Sequence, residues 1–334
     1  MGVPVITTCP ATLAEGYNTY SPIGLKRVFN GRKVSPVLMY DSSKINEDDA
    51  EKFVENRKRL SISGVQEKMS FLLDHKTLRL TEEGEQGTYI LKPIPRDIRK
   101  VDQVPANEHL TMQIARQVYG IDTAENALIF FKSGEPAYIT KRFDVRPDSY
   151  KWRKEDFASL AGMSKDSAGD DFKYESSYEE IGILIQKFVP AWRIEIEKYF
   201  VLVVFNFLFS NGDAHLKNFG LLETEQGDFI LSPAYDLLNT RIHVSDTDFA
   251  FKKGLFADGS KSVLWQRTGH PVKADFTAFG LAIGIPSKRI ESLLAPFLVR
   301  QEKVSRLIAN SYLSNPIKGA YLDYYHQKMN LLMR

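Results

Sequence analysis

The 334-residue sequence contains a single cysteine, Cys9. It can therefore form no intramolecular disulfide and no zinc site built from several thiolates, which is typical of a protein from a reducing compartment. Net charge is also nearly absent, because 44 Lys and Arg are balanced by 42 Asp and Glu, a formal charge of +2. A chain without a strong overall field has no general attraction for nucleic acid or anionic lipid.

Long hydrophobic runs are missing as well. The longest extends from Tyr199 to Phe209, is too short to span a bilayer and contains Asn206. The N-terminal residues MGVPVITTCP lack the charged start and apolar centre of a signal peptide. We therefore predict a soluble, cytoplasmic protein without membrane contact.

The first half of the chain has the pattern of a small sheet with one helix. Residues 1–50 have only weak periodicity and predict loops and short elements. Residues 69–92 contain three short apolar runs separated by turns, and ALIFF and AYITKRF add two further strands. Between the first three runs and ALIFF, the segment PANEHLTMQIARQVYG has helical spacing that ends at Gly120. Residues 60–145 therefore predict about five strands and one helix.

The second half predicts mainly helices. Ser176 and Ser177 precede Glu179 and Glu180 in capping-box spacing before IGILIQKF. Residues 195–209 are apolar on all sides, as in a helix buried at the centre of a domain. FGLL and DFILS predict two short strands around a QGD turn. Further helices are expected near residues 275–284, 287–311 and 317–332.

A polar constellation follows the apolar helix. Asp213 comes shortly before Asn218, and Asp236 follows the predicted strand pair. Phosphoryl transfer from ATP needs a carboxylate that accepts the hydroxyl proton, and carboxylate and amide oxygens that hold Mg²⁺ against the phosphates. The alternative is an ordinary turn with a solvated Asp and a structural Asn.

Lys92 ends a predicted strand, and Glu108 lies on the next helix. In this order the lysine could bind the α and β phosphates of ATP while the glutamate holds it by an ion pair. The alternative is that both are ordinary solvated side chains.

The segment SISGVQEKMS lies where a phosphate-covering loop is expected. The segment contains only one glycine, which is too few to identify it as a glycine-rich loop. Its backbone N–H groups and serine hydroxyls could still bind phosphate, and the hydroxyls are also candidate phosphate acceptors. The candidate phosphate-binding residues are Ser63, Gly64 and Val65, and the candidate phosphate acceptors are Ser61 and Ser63. The alternative is that the segment forms a turn or a helix cap.

His215 follows Asp213 by two residues, so the pair could belong to a metal-hydrolase cluster with Asp236. The sequence has no HExxH or paired-histidine motif to complete such a cluster. We interpret His215 instead as a hydrogen-bonding residue that fixes the polar loop.

Several motifs together resemble the HipA family of bacterial serine/threonine kinases, the toxins of toxin–antitoxin pairs. They occur in family order between about residues 58 and 240: SISGVQEK, YILKP, NEHLTMQIA, KRFD, NGDAHLKNFG and SPAYDLL. The length and the opening GYNTYSPIGLKRVFNG are most similar to the short HipT-type members. The polar loop has no His-Arg-Asp order, so the resemblance is to the HipA-like branch of kinases only. Asp236 is followed by Leu237-Leu238 in place of Phe-Gly, so the resemblance does not extend to a Phe-flip activation switch.

The resemblance implies a role for each matching residue. Asp213 would be the catalytic base, Asn218 and Asp236 the Mg²⁺ ligands, and Lys92 the lysine that binds the phosphates of ATP. Arg142 and Phe143 would line the adenine site. Ser61 and Ser63 would lie in the loop where family members phosphorylate themselves.

The resemblance also implies partners. Family toxins phosphorylate aminoacyl-tRNA synthetases, bind a helix-turn-helix antitoxin and reach operator DNA through it, and short members occur with a small HipS-like protein. The near-neutral charge agrees with DNA contact through a partner.

The fold class expected is α+β, a two-lobed protein-kinase-like fold. Residues 1–145 would form a sheet-rich N-lobe and residues 146–334 a mainly helical C-lobe, with ATP between them. Two other functions stay open: a kinase-like protein that binds nucleotide and acts by docking an antitoxin or regulator, and a metal-dependent phosphohydrolase.

Overall fold

The computed structural model describes residues 2, 4–41, 68–95, 98–146, 148 and 150–334. The chain divides into two compact units. The first contains Met1–Ile114, Ala124–Tyr150 and Lys303–Lys318, and the second contains Ala115–Thr123, Lys151–Glu302 and Gly319–Arg334. Each unit is therefore built from segments that are separate in the sequence.

The first unit contains a five-stranded antiparallel sheet with the strand order β2-β1-β3-β5-β4. Short strands of alternating or fully apolar residues separated by turns favour this arrangement. The strand and helix predictions for residues 69–143 are confirmed, although the last strand ends at Lys141. The elements are β1 Met69–Asp74, β2 Thr77–Leu80, β3 Tyr89–Lys92, α2 Val104–Tyr119, β4 Asn126–Phe130 and β5 Pro136–Lys141.

A helix that the sequence analysis did not locate precedes the sheet. Helix α1, Pro22–Phe29, begins at Ser21, whose hydroxyl accepts a hydrogen bond from the Gly24 amide, and has proline at its first position. Its buried Val28 and Phe29 belong to the apolar core of the sheet. Residues outside β-strands therefore supply part of the core of this unit.

The second unit is mainly helical, and α6, Trp192–Leu208, is the longest helix that lies wholly within it. Eleven of the seventeen residues of α6 are buried, which confirms the prediction from its uniformly apolar sequence. Ser177 caps α5 by accepting a hydrogen bond from the Glu180 amide. The helices are α3 Phe157–Leu160, α4 Lys165–Ala168, α5 Tyr178–Phe188, α6 Trp192–Leu208, α7 Val263–Thr268, α8 Lys273–Ala282 and α9 Ser287–Leu294.

Two predicted strands of the second unit are joined by a third. β7, Gly220–Glu223, and β8, Phe229–Leu231, form the expected hairpin, and β6, Lys154–Asp156, pairs with β7. The sequence of β6 is charged and short, so it carries no strand signal of its own. A Cβ at Gly220 would lie 3.0 Å from the Glu155 carbonyl oxygen, so glycine allows the close pairing.

The expectation of one helical stretch over residues 287–311 is wrong. Helix α9 ends at Leu294, a 3₁₀ helix covers Ala295–Leu298, and α10 begins only at Glu302. Pro296 has no N–H group for an α-helical bond, and Val299 is extended. The two helices α10, Glu302–Asn310, and α11, Asn315–Leu332, complete the chain.

A search of the described residues found no helix with the length and apolar character needed to cross a membrane.

Candidate active site

The polar loop of the second unit starts where the buried helix α6 ends. Ser210 adopts a left-handed conformation with φ of 54°, which turns the chain after the helix. Asn211 then binds back to Asn206, amide to carbonyl at 2.8 Å and side chain to side chain at 2.9 Å. The start of the loop is thus fixed to the most buried helix of the unit.

Gly212 lies in a space that admits no side chain. A Cβ there would be 2.5 Å from the carbonyl oxygen of Thr247 and 2.7 Å from Cγ of Asp246. Its amide donates to Oγ1 of Thr240 at 2.9 Å. The loop therefore packs directly on residues 240–247, and only glycine permits this contact.

The loop from Asp213 to Asn218 is held by its own hydrogen bonds. The His215 amide donates to the Asp213 carbonyl at 2.8 Å and to Oδ1 of Asn218 at 3.1 Å. Nδ1 of His215 accepts from the Lys217 amide at 3.3 Å and caps the 3₁₀ helix Leu216–Asn218. Burial lowers the pKa of His215 to about 3, so the ring is neutral and able to accept this bond. These contacts agree with the loop-fixing interpretation of His215.

Asp213 reaches solvent although the residues around it are buried. Its Oδ1 accepts a hydrogen bond from the Tyr174 hydroxyl at 2.9 Å. Partial burial raises the pKa of Asp213, the Tyr174 hydrogen bond and Lys173 lower it, and nearby carboxylates raise it further. A solvent-reached carboxylate of raised pKa has the properties of a general base.

Asp236 and Asn218 come together after the β7–β8 hairpin. Nδ2 of Asn218 lies 3.4 Å from Oδ2 of Asp236. Asp236 has a φ of 57°, in the left-handed region where non-glycine residues are uncommon and which is found at functional sites. The preceding Tyr235 is fixed to the loop because its hydroxyl donates to the Lys217 carbonyl at 2.8 Å.

This pair fits a magnesium ion. Mg²⁺ prefers oxygen ligands and is commonly held by one or two protein side chains, with phosphates and water completing its shell. Asn218 and Asp236 supply one amide and one carboxylate. The amide nitrogen faces Asp236 and the amide oxygen accepts from the His215 amide, so Asn218 must turn its amide and give up the His215 bond to present oxygen. Within the described residues no group of three or more His, Cys, Asp or Glu could hold a metal ion.

Lys92 and Glu108 form an ion pair in the first unit. Nζ of Lys92 lies 2.6 Å from Oε1 of Glu108, and the side chains are only 6% and 3% exposed. Lys92 is opposite Tyr138 in the sheet, and its Nζ is 5.3 Å from the centre of that ring. The expected pair is therefore present, and both members are buried rather than solvated.

The remaining predicted site residues have different outcomes. Arg142 pairs with Asp144, its Nε 2.9 Å from Oδ1 and its second terminal nitrogen 2.6 Å from Oδ2. Phe143 is half-buried. Their adenine-binding role stays a prediction. The phosphate-loop and self-phosphorylation residues lie outside the described part of the chain: Ser61, Ser63, Gly64 and Val65.

Sequence reasoning misses two residues beside Asp213. Tyr174 belongs to a short 3₁₀ helix, Phe172–Tyr174, and Asp246 lies far along the chain. Oδ2 of Asp246 is buried and has no hydrogen-bond partner among the described residues. The negative charge of Asp246 raises the pKa values of Asp213 and Tyr174. Neither position belongs to a motif, so the sequence carries no signal for them.

Residues 60–304 match the family model described as the HipA-like C-terminal domain. Because the match covers most of the 334 residues, the chain belongs to the HipA-like family. The resemblance inferred from the motifs is confirmed. The likeness to short HipT-type members stays a prediction.

Named relatives agree with this family. A Haemophilus influenzae protein named "Putative kinase" is 26% identical over 341 residues, covering 97% of this chain and 95% of that protein. "Putative kinase Y4dM" of Sinorhizobium fredii is 33% identical over 220 residues, covering 61% of this chain and 51% of that protein.

Solved structures show the same fold. HipA from the Shewanella oneidensis complex of HipA, HipB and operator DNA has a TM-score of 0.63 at 19% identity, covering 86% of this chain and 70% of that one. The Helicobacter pylori proinflammatory kinase CtkA has a TM-score of 0.52 at 15% identity, covering 77% of this chain and 90% of that one. The expected mixed α and β, kinase-like fold is confirmed.

Proposed function

We propose that the protein is an ATP-dependent serine/threonine protein kinase of the HipA-like type. The observation that carries the proposal is the grouping of Asp213, Asn218 and Asp236 at the end of a buried helix, with Asp213 open to solvent. A rigid platform of this kind suits phosphoryl transfer, where catalysis is mostly positioning and electrostatics. The named relatives and the fold support the same reaction class.

The residues of the second unit act on the acceptor and the ion. Asp213 orients the acceptor hydroxyl and receives its proton as the hydroxyl oxygen bonds to the γ-phosphorus of ATP and the bond from that phosphorus to the departing ADP breaks. Asn218 and Asp236 would hold Mg²⁺ with their side-chain oxygens. When bound, ATP would supply the phosphoryl group, and Mg²⁺ would supply the positive charge that stabilises its transfer. His215 keeps the loop in shape through the Lys217 amide.

The residues of the first unit bind nucleotide in this proposal. Lys92, kept in one position by Glu108, binds the phosphates. Arg142 and Phe143 line the adenine. The segment with Ser63, Gly64 and Val65 covers the phosphates, and its serines, Ser61 and Ser63, receive phosphate from the enzyme itself.

The proposed partners are those that the resemblance to the HipA-like family implies. We propose a protein substrate of the aminoacyl-tRNA synthetase class, a helix-turn-helix antitoxin, and a small HipS-like protein. Operator DNA would be reached through the antitoxin only. The Shewanella structure, which contains HipA, HipB and operator DNA, supports the antitoxin part of this proposal.

The test is phosphate incorporation by the purified full-length chain. Protein first treated with a phosphatase is incubated with ATP and Mg²⁺, and phosphate is mapped by peptide mass spectrometry. We expect phosphate on Ser61 or Ser63 in the wild type, and a decrease of at least about 10²-fold in the Asp213→Asn and Asp236→Asn variants. Circular dichroism should show that both variants are folded, because both side chains reach solvent.

Two results would contradict the proposal. ATP binding without phosphate on the chain or on added protein would favour the docking protein. Phosphate release without a protein acceptor, abolished by a chelator and restored by Mn²⁺ but not by Mg²⁺, would favour the phosphohydrolase.

A further inference from the structure

Tyr174 is the residue whose hydroxyl touches the proposed base. Its Oη donates to Oδ1 of Asp213 at 2.9 Å. Its ring packs edge-on against His215, with the ring centres 5.2 Å apart. The phenol therefore contacts both the carboxylate and the residue that fixes the loop around it.

The segment that carries Tyr174 is itself anchored. The Tyr174 amide donates to the Asp171 carbonyl at 2.8 Å within the 3₁₀ helix. The next residue, Glu175, pairs with Lys252 at 3.2 Å, and Ser177 caps helix α5 shortly after. Contacts on both sides thus limit the freedom of the phenol, and its hydrogen bond costs little additional ordering.

The hydrogen bond has a geometric consequence for Asp213. A carboxylate on a short side chain rotates readily, and two equivalent oxygens could receive the acceptor proton. A donor fixed at Oδ1 removes this ambiguity and leaves Oδ2 for the acceptor hydroxyl. Fixed orientation of a reacting group contributes strongly to catalysis, since small misplacements reduce the rate.

The charges around Asp213 also favour this donor. Burial and the carboxylates of Asp246 and Asp236 raise the pKa of Asp213, whereas Tyr174 and Lys173 lower it. The phenol itself stays protonated, because burial and the nearby Asp213 charge raise the pKa of Tyr174. Tyr174 therefore remains a hydrogen-bond donor at neutral pH.

We propose that Tyr174 is a positioning residue for phosphoryl transfer, whose hydroxyl holds Oδ1 of Asp213 and so directs Oδ2 to the acceptor hydroxyl. This inference rests on the proposed kinase function. The opposite role is an obstruction, in which the phenol occupies the place of the acceptor and must leave before transfer.

The test compares two Tyr→Phe variants of the full chain. Tyr178 is the matched control because its hydroxyl donates to the Ala214 carbonyl at 3.0 Å, supporting the same loop without touching the Asp213 side chain. Self-phosphorylation rates are measured against ATP concentration in the presence of Mg²⁺, together with the melting temperature. Asp213→Asn serves as the inactive reference.

We expect Tyr174→Phe to lower the maximal rate about tenfold and to leave the half-saturating ATP concentration unchanged. Tyr178→Phe should lower the melting temperature by about 2–4 °C, because a buried carbonyl loses its partner, and should lower the rate less. A lower maximal rate at an unchanged melting temperature separates positioning from loss of folded protein, since a smaller folded fraction would also lower the maximal rate.

Three results would overturn the inference. An unchanged rate for Tyr174→Phe beside an active wild type rejects positioning and leaves the kinase function intact. A faster Tyr174→Phe variant identifies the phenol as an obstruction. An inactive wild type rejects the kinase function and, with it, the positioning role.

Discussion

In the first unit the ammonium of Lys92 is buried against Glu108, whereas in the second unit the Asp213 carboxylate reaches solvent beside other carboxylates. The first group is compensated by a partner of opposite charge at 2.6 Å. The second has its pKa raised by burial and by Asp246 and Asp236. The first unit therefore neutralises its buried ammonium with a fixed carboxylate. The second unit brings several carboxylates close together, where a bound cation or proton would lower their mutual repulsion.

The comparison separates structural from chemical use of charge. A buried ion pair is costly to break because either partner alone would remain charged without water. A solvent-reached carboxylate can change protonation without unfolding the chain, and this is what a general base requires. The left-handed φ of 57° at Asp236 places backbone strain in the second unit, at one of the proposed magnesium ligands.

The largest effect is expected from Lys92→Met. It removes the cation that lies 2.6 Å from the buried Glu108 carboxylate, and we expect the free energy of unfolding to fall by about 3–5 kcal/mol in denaturant titrations. The double variant Lys92→Met with Glu108→Leu should recover most of the loss, since a well-packed apolar pair can replace a buried ion pair. Equal destabilisation of the single and double variants would show that charge compensation is not the reason.

An intermediate effect is expected from Gly212→Ala. Its Cβ would lie 2.5 Å from the Thr247 carbonyl oxygen, so the polar loop must shift. We expect a destabilisation of about 1–3 kcal/mol and a kinase rate about 10²-fold lower, because Asp213 is displaced. Gly319→Ala is the matched control: it lies in α11 with no atom within 4 Å of the added Cβ, so it should stabilise the chain by about 0.5–1 kcal/mol. A wild-type rate in Gly212→Ala would refute the close packing of this loop.

The smallest effect is expected from Glu85→Gln, at a surface ion pair of the first unit. Glu85 binds both terminal nitrogens of Arg79 at 2.7 Å, which lowers the pKa of Glu85 to about 2. Because the pair is exposed, its loss should cost less than about 1 kcal/mol.

The contribution of Glu85 has a defined pH dependence. A lowered folded-state pKa stabilises the protein above the unfolded value of 4.5, and this stability is lost as the pH falls towards 2. The difference between wild type and Glu85→Gln should therefore be full at pH 6 and shrink below pH 4.5. A difference as large as that of Lys92→Met would remove the distinction between buried and exposed pairs.

Local patterns predicted much of the fold. Helix α6 was found because its apolar residues surround the axis, and β7–β8 because two apolar runs flank a turn. Strand β6 was missed because KED has no strand preference, and its pairing with the distant β7 is not visible in the local sequence. The break after Leu294 was missed because the apolar spacing continues across it, although Pro296 was a local signal.

The candidate site divides in the same way. Asp213, Asn218 and Asp236 were found because their spacing along the chain is short and chemically specific. Tyr174 and Asp246 were not found because each reaches Asp213 from a distant segment with no motif of its own.

The sequence by itself determined the family, most of the strands and helices in their order, and the residue types of the site, since these depend on composition and short spacing. Tertiary structure alone decided that Lys92 and Glu108 are buried together, that Gly212 must be glycine, and that Tyr174 holds Asp213. The physical reason is that burial, close approach and hydrogen bonding depend on which distant segments pack against each other. Patterns of neighbouring residues do not contain that information.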